Sequence, residues 1–353
     1  MNIVKTLNYL DDKDKPEIFL FYNPELKKFL NEFDYPYLNS IEWNFPSSVN
    51  GYIKSLILRR NIFITDILSK YSLNTIFPIR DFPVKYKGNV KVVSLSPDLQ
   101  NKYYPEFFSK KVLLGRNIRM KLRLRNNNEL VVSSKAVLDD FLRFYKIRKG
   151  INFHIYHFVS VIDNLENTSI DILRERYNLP DKYFMISNQF HKHKNHRVVL
   201  LSLVELKKKG IKKHIAITGR FPDAAKSPYI AELHKIIEEN NLQDQISFLG
   251  IIPRNDQLQL MKHSQAIIQP SLFEGWSTVI EDARSLQAPV IASNLDVNIE
   301  QLGKDEVYFN PHNTNELASI LINYPERNMD DVFYEDYTKR IKDASEVLIN
   351  IFS

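Results

Sequence analysis

Gln269 to Leu302 reads QPSLFEGWSTVIEDARSLQAPVIASNLDVNIEQL. Its first half alternates strand, tight turn and helix. Ala266-Ile267-Ile268-Gln269 is a short apolar run that Pro270 ends, because proline cannot donate to a ladder. Ser271 to Gly275 forms the turn, with Gly275 free to take a positive φ. A helix then opens near Ser277 or Thr278, where Thr278-Val279-Ile280-Glu281 fits a capping box. Ala288 to Ala292 is the next buried strand. Two parallel strands therefore flank a helix whose N-terminus sits at the carboxyl end of a strand. Open α/β sheets bind ligands there, and helix amides there favour phosphate.

The turn places Glu274 just before this helix, with Glu281 and Asp282 inside it. Carboxylates only accept hydrogen bonds, so acids beside a phosphate-friendly helix start suit the hydroxyls of sugar and ribose. The plainer reading makes Glu281 the capping-box partner and Glu274 a solvated turn residue.

The segment resembles the donor-binding signature of retaining GT-B glycosyltransferases of the family 4, or group 1, type. In that family a PSxxEG turn leads into a helix carrying Glu-Ala. The resemblance implies that Glu274 is the catalytic-site carboxylate lying against the donor sugar. It also implies that the turn and first helical amides, at Gly275, Trp276, Ser277 and Thr278, face the donor diphosphate. The ribose role falls on Asp282 by register, followed as it is by Ala283, or on Glu281 by residue type.

Working outward, the 353 residues suggest about two domains. There is no cysteine, which removes disulfides, thiolate nucleophiles and cysteine-ligated metals together. The first residues lack an apolar core of signal-peptide length, and no stretch approaches the roughly 20 apolar residues of a membrane span. A cytoplasmic protein is expected. The net charge of +6 permits a partner bearing phosphates or an anionic membrane face. Nothing points to nucleic acid.

Residues 164–332 read as a regular second domain. Strands are expected at Tyr183–Ile186, His214–Ile217, Ile246–Leu249, Ala266–Gln269, Val290–Ala292 and Val307–Phe309. Helices are expected at about 195–209, 228–240, 255–263, 278–286 and 315–323, after a linker from Asn164 to Pro180 that holds a short helix from Ser169 to Tyr177. This alternation is that of a doubly wound Rossmann-like domain. Family members often carry an arginine after the first of these strands and a lysine five positions on, both on the donor diphosphate. Here Gln189 stands at the arginine position and Lys194 at the lysine position. Gly219 and Ile252 complete the implied donor-binding set, Ile252 in a loop that resembles the nucleobase-contacting segment. Backbone recognition there leaves UDP, GDP and dTDP open. His191, His193 and His196 straddle a strand-to-helix loop and need not converge, so no metal site and no cofactor are expected.

Residues 1–163 read as a less regular α/β domain, with a C-terminal helix over 333–353 packing back on it. A helix is expected over Ile3–Leu10, a strand over Glu17–Phe21, an irregular aromatic stretch from Tyr35 to Pro46, one helix spanning Ser55–Tyr71, and a basic helix over Lys110–Arg125. Relatives usually begin with a strand and a glycine-rich loop, which are expected to be missing here, and no GxGxxG occurs. From Ser94 to Lys111 the resemblance puts Pro97-Asp98 and Gln100-Asn101 where relatives often show a His-Asp or Pro-Asp pair and then Gln-His, so it implies that Asp98 is an acceptor-side residue and that Asn101 stands in place of a histidine. On the basic helix Arg116, Arg119 and Arg123 share one face, with Leu114, Ile118 and Leu122 as a separate stripe. Arg116 is assigned to the acceptor side. The face either docks on anionic lipid or a polyprenyl-phosphate acceptor, or is solvated while the leucines pack inward.

The expected architecture is therefore GT-B, two Rossmann-like domains facing a cleft, the first lacking its opening strand and loop. The expected activity is metal-independent, retaining hexosyl transfer from a nucleotide-sugar to a glycan or lipid-linked acceptor, in surface polysaccharide biosynthesis. The alternative is a catalytically impaired GT-B module that binds a nucleotide-sugar or a partner transferase.

Overall fold

The computed structural model describes residues 2–163, 165–331 and 333–353. Asn164 and Val332, the expected ends of the second domain, lie outside the described residues. The chain divides into two compact units, Met1–Val161 with Thr338–Ser353, and Ile162–Tyr337. Each is an α/β unit built on parallel strands, as a GT-B fold requires. No helix among the described residues is long and apolar enough to cross a membrane.

The first unit opens with helix α1 (Asn2–Leu7). Strands β1 (Ile18–Tyr22) and β2 (Leu38–Glu42) pair in parallel as a two-stranded sheet. The stretch expected to be irregular thus supplies a strand. Its residues, LNSIE, alternate weakly and are mostly open to solvent, which hides the period-two signal. The single helix expected over Ser55–Tyr71 is two, α2 (Ser48–Leu58) and α3 (Ile62–Leu68). Arg59 turns left-handed (φ 51°) to end α2, and the buried Ser55 hydroxyl accepts from Ile62 N at 3.2 Å where α3 begins. Strands β3 (Thr75–Ile79), β4 (Lys91–Ser96), β5 (Glu129–Val132) and β6 (Asn152–Ile155) then form a parallel sheet in chain order. Helices α4 (Gln100–Tyr103), α5 (Lys110–Asn126) and α6 (Lys135–Phe144) connect them, the last two capped by the hydroxyls of Ser109 and Ser134.

Helix α5 departs from both sequence readings, with Leu122 half-buried and Arg116 exposed. Arg119 pairs with Asp81 at 2.6 Å. Arg123 is buried, donating to the Arg80 carbonyl at 2.7 Å and to the Leu95 carbonyl at 3.4 Å. Burial pushes its pKa down to about 10, still far above neutrality. Arg116 stacks over the Phe108 ring at 4.3 Å. The arginine face is thus anchored to the protein, while Leu114 and Ile118 stand exposed. A guanidinium can be buried when its fork finds acceptors, and strand-end carbonyls plus one carboxylate supply them here.

The second unit begins with α7 (Ile170–Tyr177). Its strands are β7 (Phe184–Ile186), β8 (Ile215–Thr218), β9 (Ile246–Gly250), β10 (Ile267–Gln269), β11 (Val290–Ser293) and β12 (Val307–Phe309). They pair in parallel in the order β12-β11-β10-β7-β8-β9, which is doubly wound. Helices α8 (His196–Lys208), α9 (Pro228–Glu239), α10 (Arg254–Lys262), α11 (Thr278–Ser285), α12 (Asp296–Leu302) and α13 (Thr314–Asn323) cover the two faces. The apolar strands divide by parity, as a sheet covered on both sides demands. Ile268 packs with Leu203 and Leu317 on one face, while Ile267 packs with Ile280 and Val290 on the other. Helix α12 was not read from the sequence, because its seven residues present only Val297, Ile299 and Leu302 as apolar signal. Helix α14 (Tyr337–Phe352) closes the chain in the first unit, its Phe352 carbonyl accepting from the Thr75 hydroxyl at 2.6 Å.

Arg123→Ala takes the guanidinium away from the partly buried Arg80 and Leu95 carbonyls, so it is expected to lower stability by about 1–3 kcal/mol in urea unfolding. Arg116→Ala, losing one exposed ring contact, is expected to cost about 0.5–1 kcal/mol. Equal and small losses would mean that Arg123 is not an anchor.

Candidate functional site

The strand order of the second unit reverses between β7 and β10, so the loops leaving these two strands diverge to opposite sides of the sheet and open a crevice at their carboxyl ends. Backbone and side-chain bonds then tie the loops together. Leu272 N donates to the His193 carbonyl at 2.7 Å. Asn195, left-handed at φ 54°, donates its amide to the Pro270 carbonyl at 3.1 Å and the Pro311 carbonyl at 2.8 Å, stapling the loops after β7, β10 and β12. Asparagine tolerates that backbone conformation better than most residues, which suits it to a staple on a turn.

Within this frame Lys194 Nζ lies 2.6 Å from Glu274 Oε1, both side chains largely buried. Gln269 Nε2 donates to the same carboxylate oxygen at 2.7 Å, and Asn188 Nδ2 donates to Gln269 Oε1 at 2.8 Å. Glu274 is therefore not a solvated turn residue. It is held by an ammonium from one loop and an amide from the strand end. Neither Asn188 nor Gln269 was singled out from the sequence. The available signal was Gln269 itself, a fully buried amide closing an apolar strand just before a proline.

The helix cap differs from the expected one. Ser277, not Thr278, is the N-cap residue of α11, its hydroxyl accepting from Ile280 N at 3.3 Å. Thr278 is exposed and Trp276 half-buried beside it. Gly275 is buried and does not adopt a left-handed conformation, so it is not a positive-φ hinge. Glu281 turns inward. Its carboxylate accepts from Gln301 Nε2 at 2.8 Å and pairs with Arg284 at 2.8 Å, with no exposed surface. Gln301 also brackets the cap, accepting from Ser277 N at 3.1 Å and donating to its carbonyl at 2.9 Å. The missed α12 thus supplies the partner that the capping-box reading gave to Glu281.

Asp282 faces the other way. It pairs with Arg254 at the start of α10; Arg254 also donates to Gln257 at 3.2 Å, and Gln257 bonds the Ser187 hydroxyl at the end of β7. Ser187 and Thr218 share a hydrogen bond at 3.1 Å. Gly219 follows at φ 99°, where a Cβ would meet the Asn188 carbonyl at 3.1 Å, so only glycine lets the β8 end pass under the β7 loop without strain. Gln189 is exposed on that loop, and Ile252 is half-buried against the core before α10. The structure thus brings Lys194 into contact with Glu274, sets Ser277 and Thr278 in the next turn, and carries Asp282 back toward β7 through Arg254. Glu281 is sealed away from this group.

Asp98 and Arg116 lie in the first unit. Asp98 accepts from Gln100 N at 3.1 Å, which makes it a turn residue opening α4. The rings of His191 and His193 stack face to face at 5.7 Å, and no group of three potential metal ligands converges among the described residues. His196 is fully buried against Phe190, with neither ring nitrogen in hydrogen-bond geometry. Burial pushes its pKa down to about 3, only partly offset by the nearby Asn188 backbone.

Residues 169–341 match the family described as Glycosyl transferases group 1. Two curated relatives are similar over parts of the chain. The O-antigen chain mannosyltransferase RfbU of Salmonella typhimurium is 25% identical over 228 residues, 64% of this chain and 58% of the relative. The putative glycosyltransferase EpsF of Bacillus subtilis is 29% identical over 106 residues, 30% of this chain and 26% of the relative. The chain thus spans less than two thirds of either relative's length. Among solved structures, sucrose-phosphate synthase of Thermosynechococcus elongatus superposes with a TM-score of 0.64 at 16% identity, over 98% of this chain and 88% of that one. Anabaena HepE with UDP-glucose gives 0.62 at 18%, over 99% and 93%.

Two measurements check this geometry. Glu281→Ala strips the partner from a mostly buried Arg284 and is expected to cost about 3 kcal/mol of stability. An unchanged melting temperature would contradict the inward placement. His196 is neutral in the folded state and protonates near pH 6.5 when unfolded. The unfolded chain therefore binds the extra proton between these values, and stability falls as pH drops from about 6.5 toward 3, by up to about 1.4 kcal/mol per pH unit. In His196→Phe that acid-side slope should be shallower by one proton. An identical slope would mean that His196 is not buried neutral.

Proposed function

We infer from the match of residues 169–341 to the group 1 glycosyltransferases, and from the GT-B fold, that this chain is a transferase of that group. We propose that it moves a hexosyl unit from a nucleotide-sugar to a glycan or polyprenyl-phosphate-linked acceptor, with retention and without a metal ion. Its setting would be surface polysaccharide assembly at the cytoplasmic face of a membrane. The observation that carries this reading is the contact between Lys194 and Glu274 at the switch point, beside the first turn of α11.

The chemistry follows from the groups present. A donor diphosphate brought to this crevice competes with Glu274 for the Lys194 ammonium, and charge-assisted bonds to phosphate are the stronger kind. The dipole of α11 adds to that attraction. Gln189, at the position where relatives often have an arginine, can donate from its amide but carries no charge. Once Lys194 turns to phosphate, Glu274 keeps the Gln269 amide on Oε1 and can accept from sugar hydroxyls. As the glycosidic bond to the diphosphate breaks, negative charge grows on the leaving oxygens, where Lys194 and the helix amides already point. That preorganised stabilisation is the main term by which such a site accelerates transfer. Asp282 is the ribose residue in this reading. It lies toward Arg254 and the Ile252 loop, whereas Glu281 is fixed to Arg284 and Gln301.

Two relatives narrow the choice of donor to be tried first. HepE was solved with UDP-glucose, and RfbU is named as a mannosyltransferase. A second reading, a module that binds donor but transfers slowly, is favoured by the uncharged Gln189 and by Asn101 on α4 where relatives often have histidine.

Calorimetric titration with UDP-glucose, GDP-mannose and dTDP-glucose should find one donor that binds tighter than about 1 mM, roughly −4 kcal/mol. Binding of none would overturn the donor site. Lys194→Ala should weaken the matching nucleoside diphosphate about tenfold or more, in line with a contact of roughly 1.5–3 kcal/mol, and leave the nucleoside unchanged. Equal losses would place the lysine away from phosphate. Asp282→Asn should weaken diphosphate and nucleoside alike; if Glu281→Gln does so instead, the two carboxylates have been assigned the wrong way round. Turnover of the bound donor with membrane extract separates a transferase from a binding module.

A further inference from the structure

The two groups that hold Glu274 come from different kinds of element. Lys194 reaches it from the loop after β7 and its side chain is 18% exposed, whereas Gln269 closes strand β10 and has no exposed surface. Strand β10 is paired on both sides, with β7 and β11, so a side chain it carries is placed more precisely than one on a loop. A fully buried glutamine is also a demanding occupant of that position. A branched aliphatic would fill a strand end with no polar group to satisfy, so each bond of the amide calls for a reason.

The bonds run in one direction. Gln269 Nε2 donates to Glu274 Oε1 at 2.7 Å and to Ser271 Oγ at 3.2 Å, while Gln269 Oε1 accepts from Asn188 Nδ2 at 2.8 Å. The carboxylate dictates this order. Ionised Glu274 only accepts, so Gln269 turns its NH2 toward it; the Gln269 oxygen is then left for Asn188, which presents an NH2 in turn. Asn188 is itself buried, as is Ser271. Ser271 is held from its far side, its carbonyl accepting from Ser293 Oγ at 2.6 Å, and the Ser293 carbonyl accepts from Asn298 Nδ2 of α12 at 2.8 Å. Lys194 and Gln269 both bond Oε1 of Glu274, and no described residue donates to Oε2.

We propose that Gln269 is a positioning residue for sugar transfer: it keeps hold of Glu274 Oε1 while the donor diphosphate draws Lys194 away, so that Oε2 meets the sugar in a fixed orientation, and Asn188 sets which end of the Gln269 amide faces the carboxylate. This role rests on the donor reading of the crevice and adds to it a residue that acts only through Glu274. Lys194 is the exchangeable partner of the carboxylate and Gln269 the permanent one. Without the amide, Glu274 in the donor complex would be oriented by its own torsions alone, and a group misplaced by about 1 Å at a reacting centre loses most of its effect. A nucleoside diphosphate has no sugar to present to Glu274, so its affinity reports Lys194 and the α11 dipole but not Gln269.

Calorimetry on the full chain tests this, using whichever of UDP-glucose, GDP-mannose and dTDP-glucose the wild type binds, together with the matching nucleoside diphosphate. The quantity read is the affinity for the nucleotide-sugar divided by that for the nucleoside diphosphate, a ratio in which effects on phosphate binding cancel. In Gln269→Met, close to glutamine in length but without the amide, that ratio should fall about tenfold or more, with nucleoside diphosphate affinity within about threefold of wild type. Turnover of the donor with membrane extract should show the loss in kcat more than in donor KM. Asn188→Asp is isosteric but demands a donor; Gln269 then answers it with Nε2 and turns Oε1 to Glu274, so the ratio should fall as far as in Gln269→Met. Asn188→Leu removes a donor but leaves Nε2 facing Glu274, so its ratio should stay at least about threefold above that of Asn188→Asp. Equal ratios in Asn188→Leu and Asn188→Asp would mean an amide that serves stability alone and would overturn the proposal, and this pair decides the matter even where Gln269→Met does not fold. So would a Gln269→Met protein whose melting temperature falls while its ratio and kcat match wild type. A wild type that binds no nucleotide-sugar removes the donor reading and this role with it; a wild type that binds one as tightly as Gln269→Met does removes this role alone.

Discussion

A carboxylate held almost out of water needs a compensating charge, and in this fold that requirement falls on Glu274. It sits past the end of β10, in the crevice where the sheet order reverses, and Lys194 reaches it from the loop after β7 at 2.6 Å. The pair sets the spacing of the two loops. Asn195 and the Leu272-to-His193 backbone bond hold the same spacing from behind. Losing either charge would leave the other poorly solvated, a cost larger than any exposed ion pair could carry. An anion brought to this pair would compete with Glu274 for Lys194, and the carboxylate would still hold the Gln269 amide.

Around that contact the two acids of α11 are separated by helical geometry alone. Adjacent residues on a helix point about 100° apart, so Glu281 and Asp282 cannot share a ligand. Glu281 is sealed by Gln301 and Arg284 and ties α11 to α12, while Asp282 turns to Arg254 and the loop before α10. Position in the helix, rather than the length of the acid, sends one carboxylate to Gln301 and Arg284 and the other to Arg254.

Much of this was legible in the sequence, for reasons that differ by region. The second unit shows short apolar runs that recur between helical patterns, so its six strands fall within a residue or two of their expected places. Strands covered on both faces must be apolar throughout, and that is an easy signal. Lys194 and Glu274 were readable as candidates, but not as partners, because their contact depends on strand order and not on spacing. Gln269 and Asn188 carried too little pattern to be picked out. The capping box went to Thr278 because Glu281 stands three residues on, and only the unread α12 could show that Gln301 claims that carboxylate. In the first unit the failures share one cause. Helix α5 was oriented by the rule that leucines go in and arginines go out, and a set of strand-end carbonyls with Asp81 reverses it. Helix α2 merged with α3 because the left-handed break falls on an arginine, not on a glycine.

Amide hydrogen exchange with and without the nucleoside diphosphate that binds is the most direct test of the central claim. The account predicts added protection in two separated segments at once, 187–196 after β7 and 270–280 from the turn into α11, with the first unit unchanged. Protection confined to one of these segments, or placed elsewhere in the chain, would contradict a site built on the Lys194–Glu274 contact.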